Sequence, residues 1–162
     1  MDTQAMRDLL IAVLDARGAH MSFDEAVEDF PEDAINRRPP NVTYTPWHLL
    51  EHLRITQADI LDYVRNSGYV EPNWPADYWP APDALATQAQ FDATVASFRT
   101  DLAALRALVA DPATDVLAVI PNTPGHTIER EIRIVADHNA YHIGEFAILR
   151  QVMGTWPKAT RA

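Results

Sequence analysis

Two pairs of histidines recur at the same spacing in this sequence, His48 with His52 and His138 with His142. Residues four apart on a helix lie on the same face, so each pair would present two imidazoles in one direction. Neutral imidazole is the commonest protein ligand for ions such as Zn, Ni, Cu and Fe. Either face is therefore suited to holding a divalent metal ion if it points into the protein.

The apolar residues around each pair predict where the imidazoles point. At 100° per residue and with Ile134 at 0°, five apolar residues fall between about 0° and 120° on a helical wheel: Val135, Phe146, Leu149, Val152 and Met153. His138 and His142 lie at about 40° and 80° on the same wheel. His52 lies roughly 90° from the centre of its own apolar face, and His48 roughly 130°, further towards solvent. We therefore expect the His138–His142 pair to point into the core, with His52 at its edge.

The residues alone leave two interpretations of these imidazoles open. A buried imidazole must be hydrogen-bonded or bound to an ion, and a single one is more often a hydrogen-bonded core residue. Three imidazoles from two helices make a metal site as good an interpretation as hydrogen-bonded core residues, since bundles build such sites from facing helices. Three histidines would leave a coordination position for water or substrate, as in catalytic zinc sites. The glutamate of the metalloprotease helix motif is missing, because Asn139 follows His138.

Four long helices are predicted to position these residues. They cover about residues 3–16, 46 to 66–68, 83 or 88 to 110, and 128–153. Thr45 and Thr127 are suited to cap the second and fourth helices, and Pro46 occupies the favoured first position. Ser22 and Glu25 form a predicted capping box of an additional short helix. Because no pair of alternating strands is present, the sequence predicts an all-α four-helix bundle.

A proline- and tryptophan-rich connection, YVEPNWPADYWPAP at residues 69–82, follows the second predicted helix. It is longer than most connections, and such loops are often functional. The alternative is a packed surface loop in which Trp74 and Trp79 close one end of the bundle.

The composition favours an ordinary folded protein, with residues 1–162 as one domain. Hydrophobic residues make up 48% of the 162 residues and charged residues 22%. The net charge of −10 repels phosphate backbones, so a nucleic acid partner is not expected. No run approaches the roughly 18 apolar residues of a membrane span, and the acidic start lacks the basic region of a signal peptide. The absence of cysteine excludes disulfides and thiolate metal ligands, and agrees with an expected cytoplasmic location.

The two histidine segments, TPWHLLEHLRITQADIL and ADHNAYHIGEF, resemble those of the DinB/YfiT-like family of metalloenzymes. The resemblance extends over nearly the whole chain, including SFDEAVEDFP, NWPADYWP and ASFRTDLAALRALVADP. It implies an up-down-down-up four-helix bundle, often a homodimer, that binds a divalent ion such as Ni or Zn. The implied ligands are His52, in LLEHL, together with His138 and His142, in DHNAYH. Related sequences commonly carry a glutamine-like residue where His48 stands, so His48 is not expected to be a ligand.

The resemblance implies metal-dependent transfer, isomerisation or hydrolysis of a small-molecule substrate without choosing among them. Family members include thiol-dependent enzymes, so a low-molecular-weight thiol is a candidate second cofactor. Catalytic residues are not assigned. Glu145, one turn from His142, is expected to orient a ligand imidazole, act as a general base, or reach solvent. The alternative function is a non-catalytic metal-binding or interaction module on the same bundle.

Overall fold

Five α-helices make up most of the computed structural model, which describes residues 3–15 and 19–157. They are α1 (Thr3–Leu14), α2 (Phe23–Val27), α3 (Pro46–Arg65), α4 (Gln88–Ala110) and α5 (Ile128–Met153), with short 3-10 segments at Glu32–Ala34 and Ala76–Tyr78. The only pairing of extended backbone in the described ranges is an isolated bridge between Val119 and Thr127. The predicted all-α fold is confirmed. No helix in the described part of the chain is long and apolar enough to cross a membrane.

The helix ends follow the predicted local chemistry. Thr45 and Thr127 each accept a hydrogen bond from a backbone N–H in the first turn of α3 and α5, which satisfies a donor that the helix leaves free. Ser22 and Glu25 form the predicted capping box at the start of α2. Gly154 ends α5 in the left-handed region, with φ of 67°, a conformation that glycine adopts without steric cost.

Contacts between helices give the up-down-down-up topology. Three hydrogen bonds join α3 to α4 in the same order along both helices, Glu51 with Thr94, Gln57 with Phe98, and Arg65 with Ala104. These two helices therefore run in parallel. The order is reversed between α1 and α4, where Arg7 meets Val109 and Asp15 meets Arg106. The order is also reversed between α3 and α5. Gln57 hydrogen-bonds to Asn139, and Tyr63, further along α3, contacts His126, which lies just before the start of α5.

The buried face of α5 is rotated from the predicted one. Ile134 and Val152 were expected on the apolar face but are 37% and 57% exposed, whereas Ile143 is buried. The polar residues Asn139 and Arg150 share the buried face, and a pattern based on hydrophobicity assigns such residues to solvent. The centre of the core-facing stripe was therefore misplaced.

The positions of the histidines are corrected accordingly. His138 and His142 are only half-buried and lie at the edge of the α5 core face, towards α3, rather than at its centre. His52 is 2% exposed, and His48, expected further towards solvent, is 3% exposed. The loop after α3 covers both residues, and helical spacing cannot show the contribution of a loop.

Candidate metal centre

Three imidazoles from two helices meet between α3 and α5. The Nε2 atoms of His52 and His138 are 3.2 Å apart. His142 completes the group, in which one ring nitrogen from each residue lies within 4.8 Å of the other two. These are the three residues that the sequence singled out, and no other such group of histidines and carboxylates occurs in residues 3–15 and 19–157.

The spacing of the nitrogens fits a shared ion. Two nitrogens bound to one tetrahedral ion at about 2.0–2.1 Å lie roughly 3.3 Å from each other. The 3.2 Å between the Nε2 atoms of His52 and His138 agrees with that separation. A hydrogen bond between the same two atoms would have a similar length, so the protonation of the opposite ring nitrogens is needed to distinguish the two.

The Nδ1 atoms of two imidazoles are occupied by acceptors. His52 Nδ1 donates to the backbone carbonyl of Tyr78 at 2.8 Å, and His142 Nδ1 donates to Glu145 Oε2 at 2.7 Å. Because a neutral imidazole carries one proton, these bonds leave each Nε2 with a free lone pair. Imidazoles fixed in this way by an acceptor at the far nitrogen are typical of metal ligands.

Burial keeps the imidazoles of His52 and His138 neutral. Desolvation lowers the pKa of His52, and the bond to Tyr78 only partly opposes it. Desolvation, followed by the neighbouring imidazoles of His142 and His52, lowers the pKa of His138 to about 3. Both rings are therefore in the form that can donate a lone pair to a cation at neutral pH.

Glu145 connects His142 to a tyrosine that precedes α3. The Tyr44 hydroxyl donates to Glu145 Oε1, while Oε2 accepts from His142. Burial raises the pKa of Glu145, but the hydrogen bonds from His142 and Tyr44 outweigh it and the net shift is downwards. The pKa of Tyr44 is raised by burial and by Glu145, so the phenol keeps its proton. Of the roles predicted for Glu145, the observed contacts fit the orientation of a ligand imidazole.

The tryptophan-rich loop forms one wall of the site. The Trp79 indole stacks on the His52 imidazole, with ring centroids 3.9 Å apart and planes within 6°. Its neighbour Tyr78 supplies the carbonyl that fixes His52. Trp74, in contrast, is 70% exposed and contacts the Tyr78 ring. The loop therefore contributes Trp79 to the site. Contrary to the alternative interpretation of this loop, Trp74 does not close one end of the bundle.

A family comparison gives this arrangement its context. Residues 16–146 match the family model of the DinB superfamily. The chain belongs to the DinB superfamily. The resemblance carried by the histidine segments is thereby confirmed. Neither the curated proteins nor the solved structures contain a significant match to the chain.

His48 lies outside the three-histidine cluster of this DinB-superfamily chain. Its Nδ1 contacts the Thr45 hydroxyl, and its Nε2 lies 3.0 Å from the Ala81 carbonyl. Both ring nitrogens are thus engaged outside the cluster. The contact of His48 with the Ala81 carbonyl and the bond from His52 to the Tyr78 carbonyl attach the loop to α3 at two points. His20, in turn, is exposed and contacts the Met21 carbonyl.

We expect Glu145→Gln to weaken zinc binding by about tenfold to a hundredfold, the usual range for a residue that orients a metal ligand. The amide keeps the shape but removes the charge that accepts the His142 proton. Tyr44→Phe should have a smaller effect, because it removes only a neutral donor to the carboxylate. Competition with a chromogenic chelator measures both, with Asp92→Asn on the exposed face of α4 as the control. A larger loss of zinc affinity in Tyr44→Phe than in Glu145→Gln would contradict the arrangement in which Glu145 contacts His142 directly and Tyr44 acts through Glu145.

Proposed function

We propose that the chain is a mononuclear metal-dependent enzyme whose divalent ion is held by His52, His138 and His142. The observation that carries the proposal is the convergence of three ring nitrogens within 4.8 Å. The Nδ1 atoms of two of these rings already donate to acceptors, which leaves their Nε2 atoms free. A set of neutral nitrogen ligands suits zinc or nickel rather than magnesium or calcium, which prefer oxygen.

Three protein ligands leave the ion open to a further molecule. A divalent ion in such a site supplies Lewis acidity and lowers the pKa of a bound water or thiol. Metal-dependent transfer or isomerisation with a low-molecular-weight thiol, and hydrolysis, are the reactions that we propose for a small-molecule substrate. The side chains of His142 and Glu145 are 12% and 27% exposed, which supports access of a small molecule to the ion from the side of these two residues.

The surrounding residues orient the ligands and limit the access of water. Glu145 holds the Nδ1 proton of His142 and is itself held by the Tyr44 hydroxyl. The stacked indole of Trp79 covers one face of His52 and excludes water from it. Tyr141 is 72% exposed, and its ring lies edge-on to His142 with centroids 4.9 Å apart. An exposed aromatic ring therefore lies beside His142, where we propose that a small substrate contacts the protein.

Metal content and metal-dependent turnover test this proposal together. Protein without a histidine tag is analysed by inductively coupled plasma mass spectrometry, stripped with a chelator, and reloaded with Zn²⁺ or Ni²⁺. We expect about one ion per chain, as three protein ligands hold one ion in a mononuclear site. The reloaded protein is then assayed for ester and amide hydrolysis and for transfer to low-molecular-weight thiols.

Turnover that is lost on stripping and restored on reloading would support the enzyme. Stoichiometric metal without turnover of any substrate class would favour the non-catalytic metal-binding module. Failure to bind either ion would leave the imidazoles as a hydrogen-bonded feature between α3 and α5, and would contradict the proposal altogether.

A further inference from the structure

A chain of polar groups crosses the bundle core behind His138. Gln57, on α3 and 1% exposed, donates from Nε2 to the backbone carbonyl of Phe98 on α4 at 2.8 Å. Asn139, on α5 and 7% exposed, donates from Nδ2 to Gln57 Oε1 at 2.9 Å. Buried amides are costly unless they are hydrogen-bonded, so their arrangement here requires an explanation.

The orientation of both amides follows from the carbonyl at the end of the chain. The Phe98 carbonyl can only accept, so Gln57 must turn its NH₂ group towards α4 and its oxygen towards Asn139. Asn139 must then give its NH₂ group to Gln57. This leaves Asn139 Oδ1 as an acceptor at the free end, and that atom is buried without a hydrogen-bond partner.

The complementary donor belongs to the preceding residue. His138 Nδ1 is also buried without a hydrogen-bond partner, while His138 Nε2 faces His52. If Nε2 binds a cation, the single proton of the neutral ring must be on Nδ1. Metal loading would thus create an N–H donor on His138, the residue next to Asn139 in α5, whose Oδ1 is the unused acceptor.

We propose that Asn139 is the positioning residue for His138, with Oδ1 accepting the Nδ1 proton of the metal-bound imidazole and Gln57 anchoring the amide to α4. The inference rests on the proposed metal site but not on catalysis. Each of the three imidazoles then has its own Nδ1 acceptor: the Tyr78 carbonyl, the Glu145 carboxylate and the Asn139 amide. The third acceptor links the metal centre to α4, which contributes no ligand.

Two substitutions at Asn139 separate an acceptor from a packing role. We expect Asn139→Leu to lower zinc affinity by about tenfold to a hundredfold and to remove the protection of the His138 Nδ1 proton from solvent exchange. Asn139→Asp keeps an acceptor for the His138 Nδ1 proton but loses the donor to Gln57, so it should keep the protected proton and lose less zinc affinity than Asn139→Leu. Zinc affinity is measured by chelator competition, and the ring proton by NMR of zinc-loaded protein labelled with ¹⁵N. Thr94→Val is the matched control, because it removes a buried hydroxyl of α4 that bonds Glu51 and Gln90 rather than His138.

These measurements test the role of Asn139 independently of the proposed catalytic activity. Equal losses in Asn139→Leu and Asn139→Asp, or no loss in either, would overturn the inference. Rapid exchange of the His138 Nδ1 proton in the zinc-loaded wild type would overturn it as well, even if Asn139→Leu does not fold. A wild type that binds no zinc overturns both this inference and the metal site. An Asn139 effect on zinc binding without any turnover supports the inference and contradicts only the proposed catalysis.

Discussion

Replacing His52, His138 or His142 with alanine is expected to abolish stoichiometric metal binding, while His48→Ala should leave it intact. Each of the first three removes one of the nitrogens that converge between α3 and α5. Losing a residue that merely orients a ligand costs about tenfold to a hundredfold in affinity, so losing a ligand should cost more than about a hundredfold. The metal content after dialysis, measured by mass spectrometry, should fall to background in all three variants.

His48→Ala is the matched control because it removes an equally buried imidazole from the same helix as His52. Its two nitrogens contact Thr45 and Ala81, so its loss should lower thermal stability without removing the ion. Circular dichroism of the apo proteins separates loss of the ion from loss of the fold. If His48→Ala alone removed the metal, the assignment of His52 as the α3 ligand would be wrong.

The ligand candidates and the helices could be predicted from local patterns. Threonine caps, the proline at the start of α3 and the glycine after α5 act within one helical turn, so the sequence displays them directly. The i, i+4 spacing likewise gives the His138–His142 pair a common face. His52 was distinguished from His48 by a helical wheel and then by the resemblance to the family.

The contacts that support the imidazoles could not be predicted in the same way. Tyr44 meets Glu145 across 101 positions of sequence, and no local signal connects them. Trp79 was identified only as part of an unusual loop, since its stacking on His52 depends on how the loop folds back. The helical wheel did not predict the rotation of α5, because it assigned only apolar residues to the core. Asn139 is polar and is buried because it hydrogen-bonds to Gln57 on α3.

Arg150 is another buried polar residue whose burial the hydrophobic pattern does not predict. We expect its substitution to have the largest effect on the stability of the protein. Its side chain on α5 is fully buried. The guanidinium donates to the carbonyls of Ala26 and Glu28 at 2.8 and 2.7 Å, and to that of Thr155 at 2.9 Å. It also lies over the Trp156 ring, 4.1 Å from the centroid. One cation thus attaches the end of α2 and the segment after α5 to the bundle.

Arg150→Met should destabilise the protein by about 3 kcal/mol, because three carbonyls lose a charged donor while the core volume is largely kept. For a chain of this size we expect the unfolding temperature to fall by roughly 6–12 °C. Arg150→Lys should recover only part of this loss, since one ammonium cannot reproduce the planar fork of donors. Differential scanning calorimetry of the apo proteins provides the measurement.

Arg133→Met is the control for Arg150→Met, because Arg133 lies on the same helix but its side chain is 71% exposed and forms an ion pair with Glu129. Such a pair contributes less than about 1 kcal/mol, so the control should unfold close to the wild-type temperature. Zinc stoichiometry at low temperature should be unchanged in both variants, since neither arginine contacts the imidazoles. Equal destabilisation by the two substitutions would show that the buried contacts of Arg150 contribute no more than a surface ion pair.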